Sequence, residues 1–285
     1  MKILVTGGKG QLGCEINKLS SNYNFDWLFS DSNIFDLSDL KNISVFLDKC
    51  NPDIIINCSA YTSVDNAEYD FETANTINHK SVELISKWSY GNKCKLIHIS
   101  TDYVYDGTSL IPVEEDTQAN PVNNYGKTKL FGDIACLKNN PSSIIIRTAW
   151  LYSSFGNNFV KKMINLMKSK SKLNVINDQF GSPTFAADLA EVVLQIINAN
   201  IWKPGVYHYT NFGKVSWFDF ANDIKSIYGF NTIINSISSQ KYFIKTKRPK
   251  YSLLDNSKIK NTFDINQICY LDSLRKCIEI LQNES

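Results

Sequence analysis

Histidine is scarce: only His79, His98 and His208 occur in 285 residues. No two stand at ligand spacing, which argues against a metal centre built on imidazoles. Cysteine is present seven times, an odd number at irregular spacing and with no C-x-x-C. That excludes a disulfide framework or a zinc ribbon, and buried reduced thiols are expected instead. Surplus charge is lacking too. Thirty Lys and Arg against twenty-eight Asp and Glu leave a formal +2. Such balance argues against a protein that grips nucleic acid or an anionic membrane. No run of about 18 apolar residues offers a membrane span. Ile3-Leu4-Val5 meets glycine at once, too early for the apolar core of a signal peptide. Thirteen glycines without a period exclude a collagen-like chain, and no heptad persists. What remains is an ordinary folding composition, 43% hydrophobic and 20% charged. A soluble, cytoplasmic protein of one large domain or two intimate ones is expected.

The first half alternates short β-branched runs with amphipathic ones. Strands are expected at Lys2–Thr6, Trp27–Ser30, Ile54–Ile56, Leu96–Ser100 and Ser143–Thr148. Helices are expected at Gln11–Leu19, from an N-cap at Ser38 to about Lys49, at Thr73–Trp88 and at Asn124–Leu137. Continuously apolar strands between helices mean a parallel sheet covered on both faces, an α/β doubly wound fold of Rossmann type. After Trp150 the rhythm loosens. Helices remain legible near Asn158–Lys168, Ala187–Ile197, Trp217–Ile227 and Leu271–Leu281. Residues 1–150 read as a dinucleotide-binding domain. Residues 151–285 read as a smaller α/β substrate-binding lobe, with about 177–200 returning to the first domain.

Thr6-Gly7-Gly8-Lys9-Gly10-Gln11-Leu12-Gly13 lies between the first strand and the first helix. A pyrophosphate must approach backbone N–H groups at a helix start, and a Cβ there would block it. Gly7 makes the turn, Gly10 admits the approach, and Gly13 lets the helix pack on the sheet. The spacing is G-x-x-G-x-x-G, so position in the first strand–helix unit carries the reading. Asp31, 18 residues past Gly13, is placed to hold a ribose 2′-OH, which favours NADH. Lys9 offers a charge for the 2′-phosphate of NADPH, so both coenzymes are expected to serve.

Tyr125 and Lys129 are four residues apart on a predicted helix and share a face. A phenol ionises near pH 10 and is a poor acid at neutral pH. A neighbouring ammonium is expected to lower that value toward a useful one. Thr101 ends the fourth strand, where the crevice of a doubly wound sheet lies, and offers a hydroxyl to a substrate carbonyl. Thr101, Tyr125 and Lys129 are therefore the candidate catalytic trio.

With these residues in this order, the chain resembles an extended short-chain dehydrogenase/reductase, and more narrowly the dTDP-4-dehydrorhamnose reductase family. The similar stretches are KILVTGGKGQLG from Lys2, NCSAYTSVDNAE from Asn57, ISTDYVYDG from Ile99 and NYGKTKLFG from Asn124. RTAWLY from Arg147, GNNF from Gly156, DQFGSPT from Asp178 and the Arg248-Pro249 to Asp255 run continue it. The resemblance implies that Gln11 and Leu12 join the three glycines at the pyrophosphate. It implies that Asp36 and Leu37 flank the adenine and that Ser59, Ala60 and Thr62 line the cofactor, with Tyr125 and Lys129 beside it. It implies a sugar pocket of Val64, Thr101, Asp102, Tyr103 and Trp150, with Asn158 and Arg248 as further candidates. Arg248 suits a nucleotide diphosphate. Some members hold a metal through carboxylates at a dimer interface. Glu15 fits one such position but its companions do not align, so no metal is expected. A monomer or homodimer remains open.

The implied reaction is NAD(P)H-dependent reduction of the C4 ketone of a dTDP-linked 4-dehydro-6-deoxy sugar, serving surface polysaccharide synthesis. Sugar-nucleotide dehydratases carry Asp-Glu after the Thr, whereas Asp102 is followed here by Tyr103. Epimerase-reductases need a Cys near that position, and the nearest, Cys94, precedes the strand. Another 4-keto sugar nucleotide as substrate, or a non-catalytic NADP-binding regulatory subunit, remain the alternatives.

Overall fold

The structure is a computed structural model that describes residues 1–241 and 246–283. Five strands form the centre: β1 (Lys2–Thr6), β2 (Asp26–Ser30), β3 (Ile54–Asn57), β4 (Lys95–Thr101) and β5 (Ile144–Thr148). A sixth, Gly205–His208, pairs with β5, and every pairing is parallel. The order across the sheet is Gly205–His208, β5, β4, β3, β1, β2. The chain leaves β1 toward β2 and then crosses to β3 on the other side. Such a reversal opens a crevice at the carboxyl ends of β1 and β3.

Alternate residues of each strand feed opposite faces, so burial on both sides demands unbroken apolar runs. Ile3, Val5, Ile54, Ile56, Ile144 and Ile146 pack with α1 (Gln11–Ser20) and with Ala186–Asn198. Leu4, Ile55, Leu96 and Ile145 pack on the other face with α2 (Ile43–Cys50) and Ser81–Gly91. On the edge strand, Trp27 and Phe29 stack at 5.7 Å and continue the row begun by Tyr23 and Phe25.

The helix starts show where sequence signals were overruled. Ser38 caps nothing: its N–H and hydroxyl both donate to Asp36, and α2 begins at Ile43. The turn held by Asp36 outcompetes the cap. The run expected at Thr73–Trp88 begins at α3 (Phe71–Asn75), passes through a wider turn at Thr76–Lys80 and resumes as α4 (Ser81–Gly91). Within the wide turn, Asn78 is buried and exchanges hydrogen bonds with the Tyr61 backbone. Helix α5 (Asn124–Asn139) is capped by Asn123, whose side chain accepts from Gly126 N at 2.8 Å.

Two glycines seat α5. A Cβ on Gly126 would lie 2.1 Å from Tyr103 O, and one on Gly132 would lie 2.1 Å from Asn78 O. The helix therefore presses directly on the turn after β4 and on the wide turn.

Helices α6 (Phe159–Ser169), α8 (Trp217–Tyr228) and α10 (Tyr270–Asn283) share a second core with the parallel strands Lys172–Ile176 and Ile233–Ile237. Helix α7 (Ala186–Asn198) belongs instead to the core of the large sheet, as does α9 (Ser257–Phe263) through Ile259 and Phe263. None of the described helices is long and apolar enough to cross a membrane.

Candidate active site

A cleft of about 780 Å³ runs along the carboxyl ends of β1, β3, β4 and β5. Its floor is the glycine loop. Gly7 has φ +67°, and Gly10 N donates back to Gly7 O at 2.8 Å. Gly10 is the N-cap of α1 and provides no side-chain cap. The first-turn N–H groups of a helix have no partner within it, so this start is open to an anion. A Cβ on Gly13 would lie 2.3 Å from Gly7 O and 2.7 Å from Gly8 Cα. Gly13 thus packs on the loop's own backbone, not on the sheet. The cradle fits a dinucleotide diphosphate because side chains are excluded where it must approach.

Most of the residues singled out in the sequence line this one cleft. They are Gly7, Gly10, Gln11, Leu12, Gly13, Asp31, Asp36, Leu37, Ser59, Ala60 and Thr62, together with Val64, Thr101, Asp102, Tyr103, Tyr125, Lys129 and Trp150. Asn158 and Arg248 do not line it. Asn158 caps α6 and donates to Gln11 Oε1 at 3.0 Å and to Ser153 O at 2.7 Å. Arg248 pairs with Asp65 at 2.8 Å and lines a neighbouring cavity of about 800 Å³, with Phe180 and Tyr251. Glu15 is buried and accepts from Ser153 Oγ at 2.6 Å.

The two coenzyme-selecting candidates have found each other. Lys9, largely exposed, forms an ion pair with Asp31. Asp31 Oδ1 also accepts from the Asn33 and Ile34 N–H groups at 3.0 and 3.2 Å. The Lys9 hydrogen bond leads in holding the Asp31 carboxyl below its ordinary value.

At the end of β4, Thr101 Oγ1 donates to Asp102 Oδ1 at 3.0 Å and accepts from Tyr103 N at 3.2 Å. Burial pushes the Asp102 carboxyl up to about 7. Tyr103 meets Tyr125 edge-on, with centroids 5.5 Å apart. Burial also pushes the Tyr125 phenol up, partly offset by the Thr101 hydroxyl. This corrects the expectation of a lowered value. Lys129 Nζ is turned to Ile99 O, 2.8 Å away, and to His98 Nε2, 3.4 Å away, so its field does not dominate at the phenol. Burial pulls the Lys129 ammonium down to about 8, against the opposing pull of Asp133.

Trp150 has φ +48°, rare for a bulky residue. Its ring stacks on Trp217 with centroids 3.4 Å apart and planes 5° from parallel. A Cβ on Gly181 would sit 2.6 Å from the Trp150 ring, so only glycine leaves room there. Sequence reading missed Trp217. It also missed Asp133, although that residue stands at i+4 from Lys129. The cleft residues Ser32, Phe35, Cys58 and Asn157 carry no local signal.

A parallel sheet with an open, glycine-lined helix start at its reversal point defines a Rossmann-type nucleotide-binding protein. A Tyr and a Lys across that cleft place it among the nicotinamide-dependent oxidoreductases. The family model described as the RmlD substrate binding domain matches residues 1–283. The dTDP-4-dehydrorhamnose reductase of Salmonella typhimurium is 38% identical over 277 residues, covering 93% of both chains. The crystal structure of a dTDP-4-dehydrorhamnose reductase from Clostridium acetobutylicum aligns with a TM-score of 0.96 at 38% identity, over 99% of this chain and 100% of that one. The Bacillus anthracis reductase, solved in complex with NADP, aligns with a TM-score of 0.94 at 31% identity, over 98% and 99%. The chain belongs to the dTDP-4-dehydrorhamnose reductase family.

Proposed function

We propose that this chain reduces the C4 ketone of dTDP-4-dehydro-L-rhamnose to give dTDP-L-rhamnose, with NADH or NADPH as reductant. The observation that carries the reading is the meeting of the glycine cradle and the Thr101, Tyr125 and Lys129 side chains in one cleft. When bound, the reduced nicotinamide supplies the hydride that turns the ketone into an alcohol.

The chain's own groups do the rest. The first-turn N–H groups of α1 hold the diphosphate, with Gln11 and Leu12 at the loop. Asp31 takes the ribose hydroxyls of NADH, and Lys9 swings from Asp31 to a 2′-phosphate when NADPH binds. Asp36 and Leu37 flank the adenine, and Ser59, Ala60 and Thr62 border the cofactor's path.

Tyr125 gives its phenolic proton to the oxygen at C4. A phenol held up by burial stays protonated at neutral pH, and the alkoxide forming at C4 is a far stronger base than a phenolate. Thr101 orients the carbonyl oxygen, and Lys129 supplies positive charge where the proton leaves. Val64, Asp102, Tyr103 and Trp150 enclose the sugar. Holding the nucleotide far from C4 helps place C4 for reaction. Arg248 reaches the dTDP diphosphate by releasing Asp65, and Asn158 acts through its hold on Gln11.

Residues 1–150 serve the cofactor and 151–285 mainly the sugar nucleotide, with 177–200 returning to the first domain. The work is cytoplasmic, needs no nucleic acid or metal, is done by a monomer or homodimer, and feeds polysaccharide synthesis.

The test is loss of nicotinamide absorbance with dTDP-4-dehydro-β-L-rhamnose, run separately with NADH and NADPH. Turnover is expected with both. Tyr125→Phe is expected to slow it about 10²–10⁴-fold while leaving coenzyme affinity intact. Full activity in that variant, or tight coenzyme binding by the wild type without turnover, overturns the reading.

A further inference from the structure

Behind Tyr125 and Lys129, helix α5 carries an acidic group on the same stripe. Asp133 follows Lys129 by four residues and Tyr125 by eight. Its side chain is 1% exposed. Oδ2 accepts from Arg147 Nε at 2.9 Å. Oδ1 has no hydrogen-bond partner and stands 3.8 Å from His98 Nε2. His98, fully buried, lies between this carboxylate and Lys129, with Nε2 3.4 Å from Lys129 Nζ.

A chain of hydrogen bonds fixes the proton on that imidazole. The Ser59 backbone N–H, which can only donate, gives to Thr6 Oγ1 at 3.2 Å. The Thr6 hydroxyl then gives its proton to Asn57 Oδ1 at 2.7 Å. That leaves Asn57 Nδ2 to donate to His98 Nδ1 at 3.0 Å. With Nδ1 an acceptor, the neutral ring carries its hydrogen on Nε2. Burial, then the charge of Lys129, keep the ring from taking a second proton. His98 therefore accepts nothing from Lys129. Its Nε2–H stands 3.8 Å from Asp133 Oδ1, and Lys129 donates to Ile99 O at 2.8 Å.

The groups facing Lys129 come from four elements. His98 on β4 is neutral, and Arg147 on β5 is a cation. Cys58 after β3 is pushed up to about 12 by burial and Cys136 on α5 to about 11, so both remain thiols. Tyr125 remains a phenol. Asp133 is the one anion among these described neighbours of the buried ammonium.

We propose that Asp133 is a positioning residue for the reduction: its carboxylate, clamped by Arg147 and fronted by the His98 N–H, keeps Lys129 an ammonium beside Tyr125. The clamp matters because it holds Asp133 back. A carboxylate free to close on Lys129 would take its N–H groups, whereas here they stay at the wall of the cleft. The proposal rests on the reading of Tyr125 and Lys129 as the proton-transfer pair.

The test has two readouts on the full chain. Asp133→Asn keeps the shape and an acceptor for Arg147. The double variant Asp133→Asn, Arg147→Met removes both buried charges, and so avoids an orphaned guanidinium if the single variant does not fold. In protein with ¹³C-labelled lysine side chains, the Lys129 signal is assigned by its loss in Lys129→Arg. Its titration midpoint is expected to fall by one pH unit or more, a tenfold loss of proton affinity, in Asp133→Asn relative to wild type, or in the double variant relative to Arg147→Met alone. The basic limb of kcat/KM against pH is expected to move to lower pH by the same amount, and Asp133→Glu is expected to return it toward the wild-type position. An unmoved midpoint overturns the proposal whatever the activity. A uniform loss of activity at every pH, with the limb in place, reduces Asp133 to a structural part and also overturns it. Failure of the underlying reading looks different: Tyr125→Phe stays active while the Lys129 midpoint still responds to Asp133.

Discussion

Asp102 offers a test of the site's electrostatics that needs no substrate. Its side chain is 2% exposed and accepts from the Thr101 hydroxyl. Burial lifts its carboxyl from an ordinary 3.8 to about 7 in the folded chain. Between those values the unfolded chain has lost this proton and the folded chain has kept it. The folded state then binds more protons, so stability falls as pH rises, by about 1.4 kcal/mol per pH unit. Between pH 5 and pH 8 the loss amounts to roughly 3 kcal/mol, complete once pH passes the folded value. Asn at this position cannot ionise, yet its Oδ1 can still accept from Thr101. Asp102→Asn should therefore gain on wild type by roughly 3 kcal/mol between pH 5 and pH 8, on top of whatever constant offset the amide introduces. Urea unfolding followed by tryptophan fluorescence at both pH values gives the difference, provided the slopes agree. Other titrating groups are common to both proteins and cancel. A difference that is the same at pH 5 and pH 8 would refute the assignment of a costly buried charge to Asp102.

Two further outcomes follow from the cradle. Gly13→Ala drives a methyl into Gly7 O and Gly8 Cα. It should weaken both coenzymes at least tenfold by fluorescence titration, and unaltered affinity would show that the loop relaxes freely. At the Lys9–Asp31 pair, Lys9→Ala should weaken NADPH and spare NADH, while Asp31→Ala should weaken NADH more than NADPH. The ratio of the two dissociation constants is the readout, and a ratio unchanged in both variants would remove these residues from coenzyme selection.

The cofactor half of the molecule was legible because its signals are local. Ile54-Ile55-Ile56 must be a strand with both faces covered, and all three side chains are buried. A glycine loop straight after the first strand can only open the first helix, and it does. Thr101 was placed by the end of its strand, and Tyr125 and Lys129 by helical spacing. What was illegible depends on partners distant in the chain. Gly205–His208 is four residues long and becomes a strand because β5 offers an edge sixty residues earlier. Lys172–Ile176 and Ile233–Ile237 define each other across a similar gap. Ser38 misled because a cap and a turn compete for the same side chains, and Asp36 two residues before it decided the contest. The sign of the shift at Tyr125 also escaped. Spacing places Lys129 on the right face, but only the packed interior shows that its ammonium donates to Ile99 O.

The stack at Trp150 has a consequence for how the pocket comes into being. A bulky residue at φ +48° costs on the order of 1–3 kcal/mol. That strain is held by a plate made from three remote stretches: the end of β5, Gly181 and the start of α8. None of the three contains the wall by itself. A half-folded chain, with the large sheet formed and α8 undocked, would have its glycine cradle but no finished seat at Trp150. Coenzyme affinity and sugar recognition would then mature at different moments of folding. A drift at Gly181 or Trp217 would loosen the second while leaving the first in place.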